Sequence, residues 1–266
     1  MRLRDQLMQN SSLEFEGNIF YQKGFQRPSK FEEAYIALRK KENRLYDDTT
    51  VRNLPEIPEM HSLRNEWLHR KSSLKKLVAY LRNTKPGKLV LEIGCGNGWL
   101  SHQLSEELSV DVCAMDINQT ELLQGGRVFS ANTKVCFTCA DVFSLPVDFV
   151  SFDTIVLASS IQYFPDLNKL ISCLLSLVSA HGEIHVMDSP MYSTHEAARL
   201  AKQRSEQYFM SLGFPGMKAN YFHHTNDALD GFNHRVLNNP NSVVSRVTSK
   251  ILKRTRSVFP WIVVWK

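Results

Sequence analysis

Short apolar runs alternate with longer stretches of helical spacing through most of the chain. Leu89-Val90-Leu91 leads through Glu92 and Ile93 into Gly94-Cys95-Gly96-Asn97-Gly98. A run this short, closed by glycines, predicts a strand buried in a parallel sheet. Trp99 to Leu108 has helical composition, so strand, Gly-rich turn and helix make the first half of a βαβ unit. Val110 to Met115 (ending at Asp116), Lys134 to Thr138, Thr154 to Ala158 and Glu183 to Asp188 repeat the strand pattern, and Lys218 to Thr225 reads as a sixth strand. Between and before them lie helical segments. Met60 to Arg82 carries Leu63, Trp67, Leu74, Leu77, Val78 and Leu81 on one face, with Glu66 and Arg70 paired on its surface. Leu167 to Ser179 and residues 194–212 are also helical. This alternation predicts an α/β fold, a doubly wound sheet with helices on both faces.

The two ends break the pattern. Residues 1–58 contain one helical stretch, Phe31 to Tyr46, which Asp47-Asp48-Thr49-Thr50 interrupts, and a Pro-extended piece, Leu54 to Pro58. They hold too few apolar residues to fold alone, so they are expected to drape over residues 59–266 as a helical cap or lid. From Ser242 onward the chain is basic and lacks acids, and it ends in the apolar run Trp261 to Trp265. That predicts a solvated helix followed by a last core strand at about 260–266; contact with a membrane surface is the alternative.

Composition adds bounds. A chain of 266 residues holds one α/β domain with decorations. No window is apolar enough for a membrane span and the N-terminus has no signal-peptide core, so a cytoplasmic location is expected. The five cysteines fall in expected strands, helices and the Gly loop, which suits reduced thiols. Cys136-x-x-Cys139 is spaced for opposite faces of one strand, so no metal site is expected there. His195, His223, His224 and His234 lack a recognised ligand spacing. The net charge of +5 permits an anionic substrate without requiring nucleic acid.

The Gly-rich turn carries the candidate chemistry. Its third glycine falls one place early for a dinucleotide fingerprint, where this chain has Trp99. Glu92 at the strand end repels phosphates but suits an ammonium or sulfonium group. Asp116 is placed either to accept both hydroxyls of a ribose or to cap the next helix. Glu92, Gly94, Gly96 and Gly98, followed in order by Asp116, Asp141 and Phe152-Asp153, resemble the motifs of the class I S-adenosylmethionine (SAM)-dependent methyltransferases, close to the type 11 group. The resemblance covers roughly residues 60–192.

It implies a Rossmann-like seven-stranded sheet with Trp261 to Trp265 as its antiparallel seventh strand. It further implies SAM as cofactor and S-adenosylhomocysteine as product. The methionine end would lie on Glu92, Gly94, Cys95, Gly96, Asn97, Gly98, Ala158 and Ser159. Asp116 would hold the ribose, with Ile117 beside the adenine and Asp141 and Val142 binding it. Gln162 and Tyr163 would face the methyl acceptor. An extension such as residues 1–58 closes the substrate side in that family, so the resemblance implies Tyr21, Tyr35 and Arg39 of the cap as substrate candidates; His223, His224 and Tyr163 are candidate catalytic groups. The expected acceptor is an O, N or C nucleophile of a small metabolite or of a glycan or natural-product intermediate. A lipid headgroup and RNA stand behind it. Two rival readings are a SAM-binding interaction module without turnover and a nicotinamide-dependent oxidoreductase.

Overall fold

The computed structural model of the protein describes residues 2–25, 30–84, 87, 89–146, 149–239 and 259–266. The basic helix expected after Ser242 lies outside the described residues.

The core is the expected α/β sheet. The Gly-loop strand is β3 (Leu89–Ile93), flanked by β4 (Asp111–Asp116) and β6 (Phe152–Ala158), with β5 (Val135–Cys139) and β7 (Val178–Met187) outside these. All neighbours among these five are parallel. A strand buried on both faces needs a largely apolar sequence, and β3 to β6 supply it over most of their length, β7 only in its C-terminal half. Cys136 and Cys139 of β5 belong to apolar clusters on opposite sides of the sheet, as their offset requires.

Both edges carry more strands than the pattern suggested. Residues 1–58 are helical only in part. They hold α1 (Leu3–Gln9), β1 (Leu13–Glu16), β2 (Ile19–Gln22), α2 (Lys30–Lys41) and α3 (Asp48–Asn53). The β1–β2 hairpin turns on Gly17 and Asn18, both at positive φ, and β2 lies parallel to β5. The putting-aside of a side chain at Gly126 lets Ile19 approach, since a Cβ there would lie 2.9 Å from the Ile19 Cδ1. Asp47 does not end helical structure; it caps α3 by accepting from the Thr50 N–H.

At the other edge, β9 (Trp261–Trp265) runs antiparallel to β7, as expected of the seventh-strand slot. The strand beyond it is not Lys218 to Thr225 but β8 (Asn233–Asn238). Residues 215–220 form a 3-10 turn instead, and of the remainder only Thr225 makes a bridge, to Tyr192. Among the described residues the sheet therefore has nine strands, in the order β1-β2-β5-β4-β3-β6-β7-β9-β8. Stripped of its hairpin it is the seven-stranded doubly wound sheet.

Helices cover both faces. α4 (Arg64–Thr84) buries Trp67, Leu74, Leu77, Val78 and Leu81 against the sheet side that also takes Trp99, Leu100 and Leu104 of α5 (Trp99–Leu108). α6 (Gln119–Val128), α7 (Leu167–Leu177) and α8 (His195–Leu212) complete the layers. The C-terminal ends of β3, β4, β5 and β6 converge beneath α2, where ligands of open α/β sheets bind.

Candidate functional site

One cavity of about 540 Å³ opens over these strand ends. Its floor is the Gly loop. Gly94, Gly96 and Gly98 all have φ between +55° and +73°, a region that disfavours side chains. Gly94 also has no room: a Cβ there would lie 2.6 Å from the Ser160 Cβ. Gly98 starts α5 and leaves its own space to the Phe137 ring; it does not line the cavity.

Acids ring the loop. Glu92 is buried and accepts from the Ser101 hydroxyl at 2.5 Å. Burial pushes its carboxyl up to about 8, against the pull of the Ser101 hydrogen bonds. Asp116 lines the cavity and is not itself the helix cap. One oxygen accepts from the Gly96 N–H at 2.7 Å and the other from the Asn118 N–H at 2.9 Å, so it ties loop to helix while lining the cavity. The helix cap proper is Asn118, which accepts from the Glu121 N–H. Asp141 and Val142 lie where β5 ends; the Asp141 side chain accepts from the Phe143 N–H. Ser159 at the end of β6 is held at φ +58° by donating to the Asp188 carbonyl at 2.8 Å.

The structure brings together Glu92, Gly94, Cys95, Gly96, Asn97, Asp116, Ile117, Asp141, Val142, Ala158, Ser159, Tyr163, Tyr35 and Arg39 around this space. It leaves out others. Tyr21 is buried beneath α6 in an apolar cluster, because β2 is a sheet strand and not a lid. Gln162 is buried and donates to the Ser159 carbonyl at 2.7 Å, bracing the turn from below. His223 and His224 lie outside the cavity. The segment carrying them passes behind the Ile161–Tyr163 turn, where the Phe222 N–H donates to the Gln162 carbonyl. His223 bonds Ser205, and the buried His224 donates to the Ile161 carbonyl at 3.0 Å. Burial lowers the pKa of both. Both side chains are tied to neighbouring segments and do not line this cavity.

Sequence reading missed part of the wall. Glu121 lines the cavity beside Gly96, and burial pushes its carboxyl up to about 7. Its signal was the Asn118-x-x-Glu121 capping box, completed by the Asn118 amide donating to Glu121 at 2.9 Å. Glu66 and Arg70 do pair, at 3.1 Å, but on the cavity wall and not on a solvated face; Arg44 joins them at 2.6 Å.

The geometry meets its counterpart in known proteins. Residues 90–182 match a family model described as a methyltransferase domain. The malonyl-[acyl-carrier protein] O-methyltransferase of Erwinia billingiae is 29% identical over 122 residues, covering 46% of this chain and 47% of its own. The ubiquinone biosynthesis O-methyltransferase of Coxiella burnetii is 23% identical over 139 residues, 48% of this chain and 59% of its own.

Over residues 90–182 the chain is similar to the class I SAM-dependent methyltransferases.

It spans about half the length of the curated relatives it matches. Among solved structures, the magnesium protoporphyrin IX methyltransferase of Synechocystis PCC 6803, with bound S-adenosylhomocysteine, superposes with a TM-score of 0.54 at 16% identity. That match covers 88% of this chain and 100% of the other, and the likeness is one of fold. Among the described residues no helix is long and apolar enough to cross a membrane.

The residues present fit the family's cofactor. A buried carboxylate at the end of β3 suits a cationic methionine end, the side-chain-free loop admits close backbone approach, and Asp116 keeps acceptor lone pairs over the cavity.

Proposed function

We propose that the chain transfers a methyl group from SAM to an O, N or C nucleophile of a small metabolite, or of a glycan or natural-product intermediate. One observation carries this reading. The acidic, glycine-floored half of the cavity is continuous with a half walled by Phe31, Tyr35, Arg39 and Tyr163, so donor and acceptor share one space. The two named relatives are O-methyltransferases, which favours oxygen as the acceptor atom.

Glu92 and the loop backbone hold the methionine end, Asp116 the ribose, and Asp141 with Val142 the adenine. When bound, SAM supplies a methyl carbon already activated by its sulfonium: the acceptor–carbon bond forms, the carbon–sulfur bond breaks, and the electron pair stays on sulfur. A hydroxyl acceptor releases its proton to water. The protein's contribution is then alignment and exclusion of water, which in-line displacements reward. Residues 1–58 serve both tasks, since β2 braces the adenine side and α2 roofs the cavity. The five free cysteines support a cytosolic setting.

Calorimetric titration with SAM, S-adenosylhomocysteine and NAD tests the reading. Micromolar binding of the first two and none of NAD is expected. Binding of NAD alone would overturn it in favour of an oxidoreductase.

A further inference from the structure

The acceptor half of the cavity has a composition of its own. Phe31, Tyr35 and Tyr163 stand as a cluster with ring centroids 5.7–6.4 Å apart, Phe31 and Tyr35 from α2 and Tyr163 from the turn after β6. All three line the cavity. Tyr221 closes the cluster from behind, edge-on to Tyr163 at 5.7 Å. Rings packed edge to face leave flat surfaces on which another planar ring stacks.

Beside this wall lies Arg39, one turn after Tyr35 on α2. Its guanidinium carbon sits 4.9 Å from the Tyr35 ring centroid, and its Nε donates to the Tyr35 hydroxyl at 2.9 Å. That bond fixes the plane of the guanidinium. Of its outer nitrogens, Nη1 makes an ion pair with Glu42 at 3.7 Å, longer than a hydrogen bond. Glu42 is engaged elsewhere: it accepts from Tyr208 at 2.6 Å and pairs with Arg44 at 3.3 Å. Glu121 lines the same cavity and favours the Arg39 charge. Burial works to lower the Arg39 pKa, but Tyr35, Tyr163 and Glu121 hold it above its ordinary value, so the group stays charged. A fixed, charged guanidinium whose outer nitrogens are held only by a long ion pair still matches the two oxygens of a carboxylate.

We infer that the methyl acceptor is a planar aromatic acid, its ring against the Phe31–Tyr35–Tyr163 wall and its carboxylate on the outer edge of Arg39. The inference rests on the methyltransferase reading and narrows its acceptor. The aromatic wall supplies area and the arginine supplies orientation. Together they distinguish an aromatic acid from a neutral phenol, which leaves Arg39 with only its long ion pair to Glu42, and from an aliphatic acid, which leaves the wall uncovered.

The test uses full-length protein, with and without S-adenosylhomocysteine. The probes are 4-hydroxybenzoate and 1-hydroxy-2-naphthoate, their neutral carboxamides, and cyclohexanecarboxylate, followed by ligand-observed NMR. Each aromatic acid should bind at least tenfold more tightly than its amide and than the aliphatic acid. Arg39→Gln should erase the preference over the amide while leaving S-adenosylhomocysteine affinity within about twofold. Arg39→Lys should restore only part of it, because a point charge lacks the fork. Tyr35→Phe, which keeps the ring and removes the hydroxyl that orients Arg39, should weaken the acids several-fold and leave the amides unchanged; this variant carries the test if Arg39→Gln fails to fold. Equal binding of acids and amides would overturn the inference and leave the methyltransferase reading intact. So would a loss of S-adenosylhomocysteine affinity in Arg39→Gln, which would put Arg39 on the cofactor. The acid preference without any SAM or S-adenosylhomocysteine binding would support the aromatic-acid site and overturn the cofactor reading.

Discussion

Glu92 shows how one residue couples the cofactor to protons. An ordinary carboxyl titrates near 4.5, whereas burial raises this one to about 8. Near neutral pH the folded protein therefore keeps a proton that the unfolded chain has released. More protons bound in the folded state means that stability falls as pH rises from about 4.5 to about 8. Glu121, raised to about 7, adds to the same trend. A cationic methionine end reverses the balance, because it favours the carboxylate. Binding of SAM at pH 7 should release protons, measured by calorimetry in buffers of differing ionisation enthalpy. Glu92→Gln should abolish most of that release, lower SAM affinity and flatten the pH dependence of the melting temperature of the ligand-free protein. Proton release unchanged in Glu92→Gln would assign the titration to another group, Glu121 first.

The β1–β2 hairpin shows what an element adds to a site it never enters. Gln22, the last residue of β2, is buried; its amide donates to the Ser144 carbonyl at 2.6 Å and its carbonyl accepts from the Asp141 N–H at 3.0 Å. The hairpin thus clamps the turn that carries Asp141 and Val142. Gln22→Ala should cost about 1–3 kcal/mol of stability through two lost buried hydrogen bonds. It should also weaken S-adenosylhomocysteine severalfold with β5 otherwise intact. Unchanged affinity by calorimetry would confine Gln22 to a packing role. This element was legible in principle. Gly17-Asn18 between apolar residues is a two-residue hairpin signal, and reading residues 1–58 for helical composition passed over it. The Gly loop was legible for the opposite reason, since its constraint is local: a buried strand, positive φ and close approach all act within ten residues or so of one another. His223 and His224 could not be placed that way. Whether they face the cavity depends on residues 215–225 crossing behind the Ile161–Tyr163 turn, a tertiary contact that no local period encodes. Glu66 and Arg70 fell between the two: their pairing is local, but which surface they cover depends on where α2 lies.

At the scale of the molecule, the cavity is a joint between the sheet and a roof. The roof, α2 and the stretch after it, is latched at its far end by charge. Glu66 on α4 accepts from Arg44 at 2.6 Å and from Arg70 at 3.1 Å, and Glu42 receives the Tyr208 hydroxyl from α8. Burial opposes the Glu66 charge, but the two arginines win and hold its carboxyl at about 2. With a folded value below the ordinary one, this contribution is present above about pH 4.5 and is lost as pH falls towards about 2. At neutral pH the latch is therefore closed, and Arg44 and Arg70 are held as part of the wall. Glu66→Gln keeps the shape of the side chain and removes its charge. It should lower stability by about 1.5–3 kcal/mol, the range for hydrogen bonds to charged groups. The loss should be local: amide exchange across residues 30–46 should speed up while β3 to β6 keep their protection, because the sheet's contacts do not pass through Glu66. Added S-adenosylhomocysteine should slow that exchange again, since it binds against both halves of the joint. If exchange accelerates equally in the sheet, Glu66 supports the whole fold and the roof does not move as a unit.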